Sequence, residues 1–288
     1  MKIFAADQIK AWDAFTIEHE PISSINLMER AAEACVHWIL KEQNDFENYV
    51  VFCGPGNNGG DGLAIARLLL EAGKAVVAFR LEAKMYTDDF TVNLERFEAL
   101  YGRIHILKSA ADFGKLPSDS LVIDALFGSG LNRPLEGLAA QIIDKLNHSK
   151  ASVLSIDVPS GLFTDSSSVG HSVIKANYTL SFQVPKYAFM MTENAQYCGE
   201  VNVLDIGLHP KFEISYQAPQ QLIDADLIEK IYTKRNPSAH KYQYGNALLL
   251  AGSSAYMGAA ILAAKACLRS GCGLVTVATE QGRESIVQ

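Results

Sequence analysis

The chain has 288 residues, 49% of them apolar and 20% charged, with 32 Asp plus Glu against 25 Lys plus Arg and a formal net charge of -7. That apolar content supplies a large core and excludes a disordered or collagen-like chain, while the acidic balance gives duplex nucleic acid or an anionic membrane no electrostatic reason to bind. An anionic ligand therefore needs a locally built site.

Apolar residues recur at intervals of three and four over residues 6–18 and 24–43, where Ile25, Met28, Ala32, Cys35 and Ile39 follow a helical period. Two helices open the chain. Their wide apolar stripe leaves two outcomes, a homodimer or packing on the chain's own sheet. Short Val/Ile/Leu runs follow at 49–53, 75–79, 104–107, 121–124, 153–157 and 178–182, with helix-length segments between several of them. The runs are continuous, as strands buried on two sides must be, and the alternation predicts an α/β fold: a Rossmann-like three-layer domain with a mostly parallel sheet. GEVNVLDIGL, from Gly199, reads as a late edge strand. The polar stretch that follows contains Pro210 and Pro219 and marks a boundary, giving domains 1–215 and 216–288. In the second, a strand at 247–251, a helix at 259–270 and a strand at 274–278 form one βαβ unit, and a single crossover leaves one face of each strand bare. That domain reads as incomplete. Cys35, Cys53, Cys198, Cys267 and Cys272 are scattered without a CxxC pair, so neither a disulfide framework nor a zinc site is expected and a reducing, cytoplasmic compartment is. Charges within MKIFAADQIKAWD, and the want of any run of about eighteen apolar residues, predict no export and no membrane span.

The most informative segment is VVFCGPGNNGGDGLAIARLLL, where a buried strand enters a glycine-rich turn and then an amphipathic helix. Gly54, Gly56 and Gly59 fit the dinucleotide fingerprint, but Gly60, Asp61 and Gly62 exceed it. Free N–H groups at the helix start suit a phosphate, and the amide oxygens of Asn57 and Asn58 suit a cation or a ribose hydroxyl. LVIDALFGSGLNRPLEG places Asp124 at a strand end before a loop with three glycines and Arg133, which reads either as a solvated charge or as a phosphate contact. SVLSIDVPSGL repeats the design with Asp157, Pro159, Ser160 and Gly161. Lys186 follows another strand in SFQVPKYAF. Loops outside the carboxyl ends of parallel strands are where such sheets bind ligands, and a buried carboxylate is costly unless paired or bound to a cation. Two rival readings are an ordinary NAD-dependent oxidoreductase, with Glu82 at the ribose position, and a nucleotide-binding scaffold without turnover. The extra GDG and the paired strand-end aspartates speak against the first, and the intact polar set against the second.

LMERA, GPGNNGGDGLAIAR, DALFGSGLNRPLEG, SIDVPSGL and PKYAF, in this order over about residues 1–215, resemble the NAD(P)H-hydrate epimerase family, also called the YjeF N-terminal domain. HKYQYGNALLLAGSSAYMGAAILAAKACLRSGCGLVTVAT resembles the start of a ribokinase-like, ADP- or ATP-dependent NAD(P)H-hydrate dehydratase domain. The resemblance implies a metabolite-repair isomerase that interconverts the R and S forms of NADHX and NADPHX, nicotinamide dinucleotides hydrated at C6. It implies that Asn57, Asn58, Gly59, Gly60 and Asp61, with Gly128, Ser129, Gly130, Leu131, Asn132, Arg133 and Pro134, form the substrate loops. It also implies that Asn58, Asp124 and Ser160 are potassium ligands and that Asp157 contacts the substrate. Asp157 is then the expected acid/base, with Lys186 orienting the substrate or stabilising charge. ATP or ADP serves only a complete dehydratase domain, whose catalytic aspartate and anion-binding glycines fall beyond Gln288 in that family, so no dehydratase activity is expected from these residues alone.

Overall fold

The computed structural model describes residues 1–117, 119–253 and 255–282. A short strand Lys2–Ile3 (β1) leads into helices Ala6–His19 (α1) and Ser24–Glu42 (α2). Strand Asn48–Cys53 (β2), helix Asn57–Glu71 (α3), strand Ala75–Leu81 (β3), helix Asp88–Ala99 (α4) and strand Arg103–Leu107 (β4) build one half of a sheet. The other half is Ser120–Ala125 (β5), helix Gly137–Asn147 (α5), Ser152–Ile156 (β6), Tyr178–Phe182 (β7), helix Ala195–Cys198 (α6) and Glu200–Leu204 (β8). All seven strands are parallel in the order β4-β3-β2-β5-β6-β7-β8, with β8 at the edge as the sequence predicts.

Alternate residues of each strand supply opposite cores. Val51, Cys53, Ile123, Ala125 and Leu154 pack with α2, α3 and α4 on one face, while Val50, Phe52, Val122 and Val153 pack with Ile142, Ile143 and Leu146 of α5 on the other. Both faces are buried, which is why the runs are continuous rather than alternating. The apolar stripe of α2, including Ala32, Cys35 and Ile39, is consumed in the first of these cores. Packing on the chain's own sheet is thus the outcome realised for that stripe.

The chain runs outward from β2 through β3 to β4, then returns beside β2 as β5 and runs outward the other way. Reversal of this kind opens a crevice at the carboxyl ends of the two central strands. The glycine turn after β2 is pressed into it: the Gly54 N–H donates to the Ala125 carbonyl at 2.9 Å, and a Cβ on Gly54 would overlap the Leu126 carbonyl oxygen. A Cβ on Gly59 would likewise overlap the Gly54 carbonyl. Close backbone approach, not a left-handed φ, is what demands glycine at these two positions.

The first compact unit runs from Met1 to Ile223, past the expected boundary at 215. Strand Gln220–Gln221 (β9) pairs antiparallel with β1, and Phe212 of helix Pro210–Ser215 (α7) is buried against Phe4 and Trp12, so the polar stretch stays bound to the first unit. A second unit begins at Asp224. It holds helix Ala225–Ile231 (α8), strand Asn246–Leu250 (β10), helix Gly258–Arg269 (α9) and strand Leu274–Ala278 (β11), with β10 and β11 parallel. Leu248, Leu250 and Leu262 are exposed there, as a lone crossover requires. No helix among the described residues is long and apolar enough to cross a membrane.

Gly54→Ala has no side-chain end to push aside, only backbone. We expect it to cost about 3 kcal/mol, at the upper end of ordinary overpacking, read as a lowered urea midpoint with an unchanged m-value.

Candidate active site

Asp124 closes β5 and is fully buried. Its Oδ1 accepts from the Ser160 hydroxyl at 2.5 Å and the Leu126 N–H at 3.3 Å; its Oδ2 accepts from the Ser155 hydroxyl at 2.8 Å and the Ser160 N–H at 2.9 Å. The Phe127 N–H in turn donates to the Ser160 hydroxyl oxygen at 2.8 Å. These bonds lock the loop after β5 to the loop after β6. Burial pushes the Asp124 carboxyl up despite its donors, and no basic side chain among the described residues pairs with it. A buried carboxylate with hydroxyl and amide neighbours and no counter-charge suits a monovalent cation.

Asp157 follows β6 with φ 66°, a left-handed backbone that costs a non-glycine residue about 1 kcal/mol or more and marks functional sites when the surroundings enforce it. Here the Asp157 N–H donates to the Leu180 carbonyl at 2.7 Å and the residue is held between β6 and β7. Its carboxylate Oδ1 lies 3.2 Å from Lys186 Nζ, and its Oδ2 accepts from the Ser129 N–H at 2.9 Å. Burial pushes Asp157 up, but the Lys186 charge and the Ser129 bond outweigh it and hold the carboxyl below its usual range. Lys186 is fully buried and donates also to the Phe182 and Val184 carbonyls, at 2.8 and 3.3 Å. With three partners for three donors, its geometry fixes and ionises Asp157.

Asn58, in the first turn of α3, faces this pair. A Cβ on Gly128 would stand 3.2 Å from both Asn58 Cγ and Asp157 Oδ2, so Asn58, Gly128 and Asp157 border one space. Both polar atoms of the Asn58 amide are buried and have no hydrogen-bond partner among the described residues. Orphaned amide atoms at the floor of a crevice await a ligand, as native proteins rarely leave them unmet. The α3 N-terminus is capped by Gly56 with no side-chain bond, leaving its first N–H groups to an anion. Asp61, one turn on, is pushed well up by burial and by Asp157, Asp13 and Asp89.

Asp13 is the residue that the sequence did not single out. It sits on α1 beside buried Trp12, whose indole N–H donates to the His209 carbonyl at 2.9 Å and which packs in one cluster with Val184. Burial, then Asp157, push its carboxyl up to about 7 while Lys186 acts the other way. The only signal in the sequence is an acid at the edge of an apolar helix face, which is too common to single out.

The crevice thus gathers Asn58, Asp61, Gly128, Ser129, Asp157 and Lys186, with Asp124 and Ser160 interlocked beneath. Asn57, Gly130, Asn132, Arg133 and Pro134 are exposed, and Gly59, Gly60 and Leu131 are held by turn and helix geometry. Glu82 follows the carboxyl end of β3 and lies on the surface, 3.4 Å from Lys108. A cavity of about 530 Å³ lies at the opposite, amino ends of the strands, lined by Tyr49, Val76, Phe79 and Phe113, and takes no part in this cluster.

A family described as YjeF-related protein N-terminus matches residues 24–188, more than half of the chain. The chain belongs to this family. A second family, described as NAD(P)H-hydrate dehydratase, matches residues 247–288. The NAD(P)H-hydrate epimerase of Limosilactobacillus fermentum is 38% identical over 200 residues, which cover 69% of this chain and 94% of that protein. The bifunctional NAD(P)H-hydrate repair enzyme Nnr of Moorella thermoacetica is 34% identical over 296 residues, covering 100% of this chain and 56% of its own length. The chain spans about half the length of the bifunctional curated relatives it matches. The crystal structure of yeast ynu0, YNL200c, superposes with a TM-score of 0.60 at 18% identity, covering 83% of this chain and 97% of that one, a likeness of fold.

Asp13 carries a stability consequence. Between its ordinary 3.8 and about 7 the folded chain keeps a proton that the unfolded chain releases, so its contribution to stability falls as pH rises through that window. At about 1.4 kcal/mol per unit, Asp13→Asn should stabilise the fold at pH 8 by as much as about 4 kcal/mol and make no difference below pH ~3.5. Urea unfolding at the two pH values checks the sign.

Proposed function

We propose that the first unit is an NAD(P)H-hydrate epimerase, interconverting the R and S forms of NADHX or NADPHX at C6 of the hydrated ring. The observation that carries this reading is the ionised Asp157, held by Lys186 and the Ser129 N–H and facing the unpartnered Asn58 amide across Gly128 in the switch-point crevice. The family and the names of its relatives supply the substrate class.

The reaction needs no net redox change. C6 bears a hydroxyl and the ring nitrogen, so its stereochemistry is erased by ring opening to an aldehyde, or by loss of water to an iminium, and is set again from the other face. Either route moves a proton at the C6 hydroxyl, the work of a positioned carboxylate. Asp157 is assigned that proton. Lys186, saturated by its three acceptors, positions and ionises Asp157 rather than reaching the substrate. The N-terminus of α3, which has no side-chain cap, and the turn through Asn57 to Asp61 receive the pyrophosphate, and Gly128 to Pro134 close the other side of the crevice.

Asn58, Asp124 and Ser160 would hold potassium: an amide, a carboxylate and a hydroxyl supply the hard oxygens such an ion takes, and no basic side chain among the described residues pairs with Asp124. When bound, the ion would offset the Asp124 charge and that of the phosphates. Dehydration driven by ATP or ADP belongs to the family matched by residues 247–288 and is a reading for the whole protein, not for the first unit.

Given mixed R- and S-NADHX, potassium, ATP and an excess of S-specific dehydratase, the purified chain should remove the R form faster than spontaneous epimerisation, as followed by chromatography. R persisting at the background rate would remove the reading. Asp157→Asn should lose about 10²- to 10⁴-fold in turnover with binding retained. Potassium should raise the melting temperature above that in tetramethylammonium at equal ionic strength, and Asn58→Ala should abolish the difference.

A further inference from the structure

The cysteines fall into two classes. Cys35, Cys53 and Cys198 are buried in the first unit, where burial pushes each thiol up and keeps it from reagents. Cys267 and Cys272 are partly exposed and lie in the second unit, the one in the last turn of α9 and the other just before β11. Accessible sulfur is therefore confined to these two.

The way α9 ends brings them together. Ser270 caps the helix, and Gly271 follows at φ 103°, the left-handed turn that stops a helix. The Gly271 N–H donates to the Leu268 carbonyl at 3.1 Å and the Cys272 N–H to the Cys267 carbonyl at 3.3 Å. A helix closed by this pair of bonds sets the side chain three positions inside the cap against the one two positions beyond it. Helix α4 shows the consequence: it closes by the same two bonds, Tyr101 to Glu98 at 2.9 Å and Gly102 to Phe97 at 3.1 Å, and a Cβ on Gly102 would stand 2.5 Å from the Phe97 ring. In α9 both facing positions are cysteine. The two thiols are hydrogen-bonded to each other, and the Cys272 thiol also donates to the Leu274 carbonyl at 2.9 Å. No group of three His, Cys, Asp or Glu gathers among the described residues, and two sulfurs fall short of the four ligands of a structural zinc site. Two adjacent accessible thiols are instead what disulfide exchange requires.

We propose that Cys267 and Cys272 are a dithiol site for low-molecular-weight disulfides of the glutathione class, closing reversibly to a disulfide across the end of α9. The Cys272 thiolate attacks one sulfur of glutathione disulfide; the S–S bond breaks, and its electron pair leaves with the other half, which takes up a proton. Cys267, pushed up by desolvation and then by Cys272, keeps its proton during this step. It then gives that proton to solvent, attacks Cys272 Sγ and expels the second glutathione, which is protonated in turn. Two cysteines are oxidised by two electrons and one disulfide is reduced to two thiols, and the protons lost by the cysteines equal those gained by the glutathiones. Because the helix end holds the second sulfur beside the first, the closing step is intramolecular.

The test is exposure of the folded chain to glutathione disulfide at about pH 8, quenched with acid and read by intact and peptide mass spectrometry. The wild-type chain should lose two hydrogens, with the bridge mapped to Cys267 and Cys272, with Cys35, Cys53 and Cys198 still free, and with full reversal by dithiothreitol. Cys267→Ser should stop with one glutathione on Cys272, and Cys272→Ser should react at least about tenfold more slowly. The Cys272 amide, which donates to the Cys267 carbonyl, should exchange about tenfold more slowly once the bridge has closed. A wild-type chain that stays reduced, that stops at a glutathione adduct, or that bridges through any of the other three cysteines overturns the proposal. Faster reaction of Cys272→Ser than of Cys267→Ser overturns the order of the two steps, and an unchanged Cys272 amide overturns closure across the helix end. If the serine variants do not fold, as read by circular dichroism, the wild-type mapping decides alone. The epimerase reading stands or falls separately, since neither cysteine belongs to the first unit.

Discussion

One buried carboxylate sets the spacing of the strand-end loops. Asp124 has lost its water at the end of β5, and such a group is retained only if protein atoms replace the solvent. The replacement comes from its own strand end, through the Leu126 N–H, and from β6 and the turn beyond it, through Ser155 and both donors of Ser160. Because those donors belong to different loops, satisfying Asp124 fixes one loop against the other. Ser129 on the first loop can then meet Asp157 on the second, and the crevice acquires a preorganised floor.

Above that floor the charge balance is lopsided. Asp13, Asp61 and Asp157 act on one another's charge, and among the described residues the buried Lys186 forms an ion pair with Asp157 alone. Asp157 takes it and stays ionised, and the other two carboxyls are pushed toward the neutral form by burial and by the neighbouring negative charge. A cluster so composed opposes folding at neutral pH. Sites that tolerate such a cost are commonly those where the perturbed groups are used.

Much of this architecture was legible in the sequence. Strands buried on two sides must be continuous apolar runs, so the central strands announced themselves, as did the glycine turn between a strand and a helix, while the half-exposed edge strands β4 and β8 were legible as shorter Val/Ile/Leu stretches. Asp124, Asp157 and Lys186 were visible as polar residues at the ends of such runs. Short strands such as β1 and β9 were not, since two-residue polar segments have no period to read, and with them went the true end of the first unit at Ile223. The partners of Lys186 were equally hidden: a lysine after a strand is usually solvated, and only the turn through Phe182 and Val184 supplies the carbonyls that bury it.

What the sequence by itself determined was therefore local: the alternation of elements, the two-sided burial of the sheet, the close approach at the first glycine turn, and the strand ends where chemistry would be found. These are written in periodicity and spacing, which act over a few residues. The tertiary structure alone decided which carboxylate receives the lysine, which amide is left without a partner, and that Asp13 from the first helix joins residues far along the chain. Those outcomes depend on distances between elements, and the electrostatic field at each carboxyl is a sum over neighbours that sequence order does not list.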